Sequence, residues 1–279
     1  MKVILAKKYG FCMGVKRAIE IAEKAANTHS SVTVLHQIVH NPSVVFSLEQ
    51  KGVKSVEGIE NVQTQTVVFS AHGVSPQIRE EAKKRGLTTI DATCPLVLKV
   101  HGIVKSFALR GYEFIYVGHE GHPEPLGVMG WAPGKVKLIE NTEEVENLHI
   151  DNLGKLVVIT QTTLSVDDTK NTIDAILTRY PKAKVFNTVC FETTDRQQAL
   201  KELLSLVDLV IVVGGRNSSN SLRLADLAKK AGKRGFLVET KDDLKKEWFK
   251  AVTVVGLTAG ASTPDHETLK VKEAIERMN

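Results

Sequence analysis

The chain of 279 residues carries three cysteines, Cys12, Cys94 and Cys190, and an odd number of thiols cannot all pair. Nothing in the sequence points to an oxidising compartment, so metal or redox chemistry stands as the alternative to inert burial. The cysteines lie 82 and 96 residues apart. A structural zinc site ordinarily uses short Cys-x-x-Cys pairs plus a fourth ligand, for which His122 is a candidate. Soft anionic sulfur also selects iron–sulfur clusters. A four-iron cluster held by three thiolates instead of the usual four leaves one iron open to a substrate oxygen. On the residues alone, both metals stay open.

In open parallel sheets, ligands bind beyond the carboxyl ends of the strands, so the residues that follow each apolar run are the ones to inspect. Cys12 follows the first run, His40 precedes Asn41-Pro42, His72 lies in Ala71-His72-Gly73, and Cys94 lies in Thr93-Cys94-Pro95. His119 and His122-Pro123-Glu124 come next, then Gln161-Thr162-Thr163 and Cys190. Asn217-Ser218-Ser219-Asn220 and Ser262 in Gly260-Ala261-Ser262-Thr263-Pro264 complete the series. Each cysteine sits between a strand and a helix start, where backbone N–H groups and the helix dipole favour a thiolate.

Taken singly, these residues have ordinary explanations. Ser218, Ser219, Asn220 and Ser262 suit helix N-caps, Thr162 and Thr163 suit the cap of a helix beginning near Val166, and a histidine near a helix-starting proline is commonly a capping group. Together, imidazoles, hydroxyls and an amide in post-strand loops suit a phosphate or diphosphate. Glu124, between Pro123 and Pro125, is placed to donate protons near a metal. Gly214-Gly215-Arg216 lacks the spacing of the dinucleotide or Walker A loops.

The elements that must position these loops follow from periodicity. Short β-branched runs near Val3–Ala6, Val32–Leu35, Val67–Phe69, Thr88–Ile90, Glu113–Val117, Val136–Ile139, Leu156–Thr160, Lys184–Phe186, Leu209–Val213, Gly235–Val238 and Val252–Leu257 predict strands. Helical periods fill the gaps, as with Val15, Ala18, Ile19 and Ala22, or the last stretch from about Pro264 to Met278. The class is α/β with parallel sheets. The same strand–loop–helix unit recurs without a Gly/Ser linker, which favours three small sheets over one wide one.

Composition closes off other classes. With 42% hydrophobic and 25% charged residues the chain reads as a soluble, cytoplasmic protein, and its apolar runs fall well short of the roughly 18 residues of a membrane span. The net charge of +5 is dispersed among acidic residues, with few aromatics, so no nucleic-acid surface is expected. A basic balance does suit an acidic protein partner.

Taken together, Gly10-Phe11-Cys12-Met13-Gly14-Val15-Lys16-Arg17-Ala18, Ile38-Val39-His40-Asn41-Pro42, Ser70-Ala71-His72-Gly73-Val74-Ser75-Pro76, Asp91-Ala92-Thr93-Cys94-Pro95, His122-Pro123-Glu124, Thr160-Gln161-Thr162-Thr163-Leu164-Ser165 and Asn217-Ser218-Ser219-Asn220-Ser221 resemble the IspH (LytB) family. That family comprises the 4-hydroxy-3-methylbut-2-enyl diphosphate reductases. The resemblance runs from Cys12 to about Pro264.

The resemblance implies three α/β lobes arranged pseudo-symmetrically around a central cluster, at 14–92, 93–187 and 188–279, with 1–13 joining the last. It implies an oxidoreductase of isoprene biosynthesis that converts an allylic diphosphate to isopentenyl and dimethylallyl diphosphates. Cys12, Cys94 and Cys190 would hold one [4Fe-4S] cluster with an open iron. His40, His72, His122, Thr163, Ser218, Ser219, Asn220 and Ser262 would bind substrate, Thr162 would contact its hydroxyl, and Glu124 would deliver protons. A low-potential donor such as ferredoxin or flavodoxin would supply electrons. Two stretches depart from the usual pattern: Pro125-Leu126-Gly127-Val128-Met129-Gly130-Trp131, and Val189-Cys190-Phe191-Glu192. A zinc-dependent phosphohydrolase and a cluster-bearing sensor are the competing readings, the latter lacking room for a nucleic-acid-binding appendage.

Overall fold

The computed structural model describes Met1–Met278, the side chain of Asp168 excepted. In chain order the first elements are β1 (Lys2–Leu5), α1 (Met13–Thr28), β2 (Val32–Leu35), α2 (Pro42–Glu49), β3 (Val53–Val56), β4 (Thr66–Phe69), α3 (Pro76–Lys84), β5 (Thr88–Asp91) and α4 (Pro95–Ala108). Then come β6 (Glu113–Val117), α5 (Pro123–Met129), β7 (Val136–Ile139), β8 (Leu156–Thr160), α6 (Val166–Arg179) and β9 (Lys184–Phe186). The last are α7 (Phe191–Leu204), β10 (Leu209–Val213), α8 (Ser219–Lys230), β11 (Arg234–Val238), β12 (Val254–Ala259) and α9 (Asp265–Glu276).

The strands form three sheets of four, ordered β3-β2-β4-β5, β7-β6-β8-β9 and β11-β10-β12-β1. Every pairing is parallel. The expected α/β class with three small parallel sheets is therefore the observed one. The three orders are the same topology: the chain starts on an inner strand, steps to one edge, then crosses back to the third and fourth positions. In the last sheet the N-terminal strand β1 fills the fourth position. Two compact units contain these sheets. One comprises Met1–Lys16, His40–Ser47 and the chain from Phe191, and holds the β10 sheet; the other comprises Arg17–Val39 and Leu48–Cys190, and holds the other two.

Two differences from the sequence expectation have physical causes. Strand β3 was not expected, because Lys54 and Ser55 interrupt its β-branched run; it pairs with β2 alone, and those two side chains are exposed. Strand β12 begins two residues later than its apolar run, because Asp208 Oδ2 accepts the Thr253 and Val254 N–H groups and the Thr253 hydroxyl, at 2.8–2.9 Å.

Burial on both sheet faces explains the continuous apolar runs. Ile115, Val117 and Val158 pack on Ile173, Ile176 and Tyr180 of the α6 side. The alternate residues Phe114, Tyr116, Val157 and Ile159 pack on Val100 and Val104 of α4 and Val128 of α5. No helix among the described residues is long and apolar enough to cross a membrane.

His101 of α4 is 3% exposed, and neither ring nitrogen has a hydrogen-bond partner among the described residues. Burial pulls its pKa from 6.5 down to about 4, helped by Arg79 and opposed by Asp91. The unfolded chain therefore binds more protons than the native one between these values, and stability falls as pH drops from 6.5 toward 4. The expected loss is on the order of 3 kcal/mol. Urea unfolding across this range checks it, and His101→Gln is expected to remove that part of the slope.

Candidate functional site

The three cysteines occupy one topological position. Cys12 follows β1, Cys94 follows β5 and Cys190 follows β9, each the strand in the fourth place of its sheet. Each immediately precedes a helix, α1, α4 or α7. All three thiols are half-buried and none forms a disulfide. At the α1 terminus the Val15 N–H donates to Cys12 Sγ at 3.4 Å, the kind of donor that stabilises a thiolate. A second regularity was invisible in the sequence. The backbone N–H of each cysteine donates to the carbonyl two residues beyond the end of the third strand of its own sheet: Cys12 to Ala261 at 3.0 Å, Cys94 to Ala71 at 3.0 Å, and Cys190 to Thr162 at 2.8 Å.

Two arginines that sequence reasoning passed over hold these loops. Arg196 of α7 is fully buried and donates from Nε and Nη2 to the Gly10 carbonyl at 3.1 and 2.6 Å. Its Nη1 donates to the Glu192 carbonyl and to Glu192 Oε2 at 2.9 Å, which fixes the Gly10-Phe11-Cys12 turn against α7. Burial pushes the Glu192 carboxyl up, but hydrogen bonds from Arg196 and Lys8 bring it below the ordinary carboxylate range. Arg17 of α1 donates to the Thr93 carbonyl at 3.0 Å, beside Cys94. Asp91 accepts the Thr93 N–H at 2.9 Å and binds Arg79 at 2.7 Å, so the Cys94 loop is braced from both sides. The Cys190 loop is clasped by a reciprocal pair in which Thr160 N–H donates to Thr188 Oγ1 and Thr188 N–H to Thr160 Oγ1, both at 3.0 Å. Arg196→Met leaves buried acceptors unmet and is expected to cost about 3 kcal/mol in urea unfolding.

The other candidates follow the first and third strands, which flank the point where strand order reverses, the usual ligand position in such sheets. In the unit holding β10, Ser218 caps α8 by accepting the Ser221 N–H at 3.3 Å, as its ordinary explanation requires. Ser219 opens that helix. Asn220 is 3% exposed, yet neither atom of its side-chain amide has a hydrogen-bond partner among the described residues. A buried orphaned amide calls for a ligand of matching polarity, and a phosphate oxygen meets its N–H₂. Ser262 donates to the His40 carbonyl at 3.0 Å, and Asn217 Nδ2 lies 3.4 Å from His40 Nδ1. A Cβ on Gly215 would stand 2.7 Å from that carbonyl, so only glycine allows His40 so close. His40, Asn217 and Ser262 are thus brought together.

In the other unit the rings of His72 and His122 meet edge to face, 5.4 Å between centroids, and His72 Nδ1 lies 3.3 Å from Ser70 Oγ. Gly73 beside His72 has φ +77°, a conformation open to glycine, and faces the His101 ring and Thr93. His122 caps α5, its Nδ1 accepting the Glu124 N–H at 3.1 Å. The neutral ring must then carry its proton on Nε2. Glu124 is 2% exposed. Its Oε1 accepts the Thr162 N–H at 2.8 Å and the Tyr116 hydroxyl at 3.0 Å; its Oε2 accepts the Thr162 hydroxyl at 2.7 Å. Burial raises the Glu124 pKa above the carboxylate norm, and the bonds from Thr162 and Tyr116 only partly offset that. Such a group keeps its proton to higher pH than an exposed carboxylate does. Thr163 Oγ1 accepts from Gln161 Nε2 at 3.1 Å, while Gln161 Oε1 takes the His119 N–H at 2.9 Å.

Residues 3–276 match the family model described as LytB protein. The chain belongs to this family. Among its curated relatives is the 4-hydroxy-3-methylbut-2-enyl diphosphate reductase of Protochlamydia amoebophila, 46% identical over 269 residues, covering 95% of this chain and 86% of the relative. The enzyme of the same name from Enterobacter sp. is 47% identical over 285 residues, covering 100% and 89%. Among solved structures, the E-1-hydroxy-2-methyl-but-2-enyl-4-diphosphate reductase of Plasmodium falciparum superposes with a TM-score of 0.94 at 38% identity, over 98% of this LytB-family chain and 87% of that one. A second, the (E)-4-hydroxy-3-methyl-but-2-enyl diphosphate reductase described as the terminal enzyme of the non-mevalonate pathway, gives 0.69 at 36% identity, over 99% of both chains.

Proposed function

We propose that this LytB-family chain reduces 4-hydroxy-3-methylbut-2-enyl diphosphate to isopentenyl and dimethylallyl diphosphates, with Cys12, Cys94 and Cys190 holding a [4Fe-4S] cluster that has no fourth protein ligand. With lobes at 14–92, 93–187 and 188–279 joined by 1–13, Cys94 opens the second lobe, while Cys190 and Cys12 belong to the third and its N-terminal segment. Three thiols at one topological position, each tied by its own N–H to the loop carrying substrate residues, support this reading. The donor set fits: soft sulfurs at helix starts suit iron–sulfur chemistry. When bound, such a cluster supplies low-potential electrons and a Lewis-acid position at its open iron.

The protein's own part is to bind, orient and protonate. His40, His72, His122, Ser218, Ser219, Asn220 and Ser262 take the diphosphate: His122 offers Nε2–H, Asn220 its buried amide, and α8 its N-terminal dipole. Thr163 lines the same loop as Thr162. Anchoring the diphosphate uses remote binding energy to hold the hydroxymethyl end in place. Thr162 hydrogen-bonds the substrate hydroxyl, and Glu124 behind it supplies protons. The balance is substrate plus two electrons and two protons giving product plus water. Electrons come from a low-potential protein such as an acidic ferredoxin or flavodoxin, matched to the net charge of +5.

Anaerobically purified protein is expected to be brown, to contain four iron and four sulfide per chain to within about one of each, as that cluster type dictates, and to reduce the diphosphate with a low-potential donor. Colourless protein with stoichiometric zinc would show a phosphohydrolase-type metal centre instead.

A further inference from the structure

We propose that Tyr116 is a positioning residue for Glu124: its hydroxyl and the Thr162 N–H fill both acceptor directions of Oε1, so the exchangeable proton resides on Oε2, facing the Thr162 hydroxyl. The assignment rests on the proton-delivery role proposed for Glu124.

A carboxylate oxygen offers two in-plane lone pairs, and here both are taken by donors that cannot reverse. The amide N–H is fixed. The Tyr116 phenol is fully buried, and burial together with the Glu124 charge pushes its pKa well above the usual value, so it keeps its proton. Placing a proton on Oε1 would strand one of these buried donors, which is costly. Oε2 faces a different partner, 2.7 Å away, a hydroxyl that can both donate and accept. When Oε2 is protonated, the Thr162 hydroxyl accepts from it and turns its own hydrogen outward. Proton transfer thereby gains a direction, from Oε2 through Thr162.

The ring is held where this demands. Tyr116 alternates along β6 with residues of the opposite face and packs beside Phe114, Val128 and Ile159. A Cβ at Gly118 would lie 2.5 Å from Tyr116 Cε1 and 3.2 Å from Gln161 Oε1, so glycine there leaves space for both side chains.

Tyr116→Phe keeps the ring and deletes the donor. Removing a hydrogen bond to the carboxylate favours the acid form. The expected result is a roughly tenfold lower kcat, KM unchanged within about twofold, and an alkaline limb of the kcat profile moved up by about one pH unit. Without substrate, the infrared carbonyl band of the buried acid, assigned by its loss in Glu124→Gln, should titrate at higher pH in Tyr116→Phe than in the wild type. An unmoved infrared midpoint overturns the proposal, as does a loss of thermal stability and kcat with the pH limb in place. A midpoint moved in Tyr116→Phe, with a wild-type protein that does not reduce the diphosphate, upholds the Tyr116 hydrogen bond and rejects the function instead.

Discussion

Cys94→Ser is expected to give a folded, colourless protein with no measurable reduction of the diphosphate. Cys94 is the N-cap of α4, with Pro95 at the first helical position, and its thiol accepts no capping hydrogen bond in that role. Serine is a better N-cap than cysteine and stabilises a helix start by about 1 kcal/mol relative to a non-capping residue. The bond that ties this loop to Ala71 comes from the backbone N–H and survives the change. Arg17 and Asp91 still brace Thr93. The fold therefore loses nothing, whereas a serine hydroxyl stays protonated where a thiolate is needed as ligand. Turnover should fall by more than about three orders of magnitude, since under the proposed function both electron delivery and substrate orientation would depend on the cluster. Iron and sulfide analysis beside a thermal melt separates this from misfolding. Retained iron with retained activity would mean that Cys94 is not a ligand.

Much of this site could be read from sequence because chemistry on parallel sheets collects where strands end. Cys12, His40, His72, Cys94, Glu124, Thr162, Asn220 and Ser262 all lie past a β-branched run, and the runs before His40, His72, Glu124, Thr162, Asn220 and Ser262 are strands buried over nearly their whole length, with a plain apolar signature. Legibility failed where the cause lay in another part of the chain. Arg196 reads as one more surface cation on an amphipathic helix, yet it is fully buried because the Gly10 carbonyl, 186 positions away in sequence, needs a donor. Tyr116 sits in Glu113-Phe114-Ile115-Tyr116-Val117, where an aromatic reads as core, and only the fold brings its hydroxyl to Glu124. The edge strand β3 was hidden for the opposite reason: half of its residues face solvent, so pattern alone gave it no hydrophobic run. The common N–H bond from each cysteine depends on strand order, which no local spacing encodes.

Glu124→Gln is expected to cut turnover by about two to four orders of magnitude while leaving the cluster and substrate binding in place. The amide fits the same cage: its oxygen can accept from the Thr162 N–H and the Tyr116 hydroxyl, and its N–H₂ can donate to the Thr162 hydroxyl, which then serves as acceptor. What glutamine cannot do is release a proton. Stability should move the other way. Burial raises the Glu124 pKa in the folded protein, so the native state holds a proton that the unfolded chain has already lost. Stability from this group is complete below the unfolded carboxylate pKa and is lost as pH rises through the folded one. The neutral amide is exempt from that loss, so the variant should match the wild type in acid and melt at a higher temperature near and above neutral pH. Thermal melts across this range, set against single-turnover rates on the same samples, test both halves together. Near-wild-type turnover would remove Glu124 as the proton source. Inactivity with a lowered melting temperature at neutral pH would instead make the carboxylate a structural anchor for Thr162 and Tyr116.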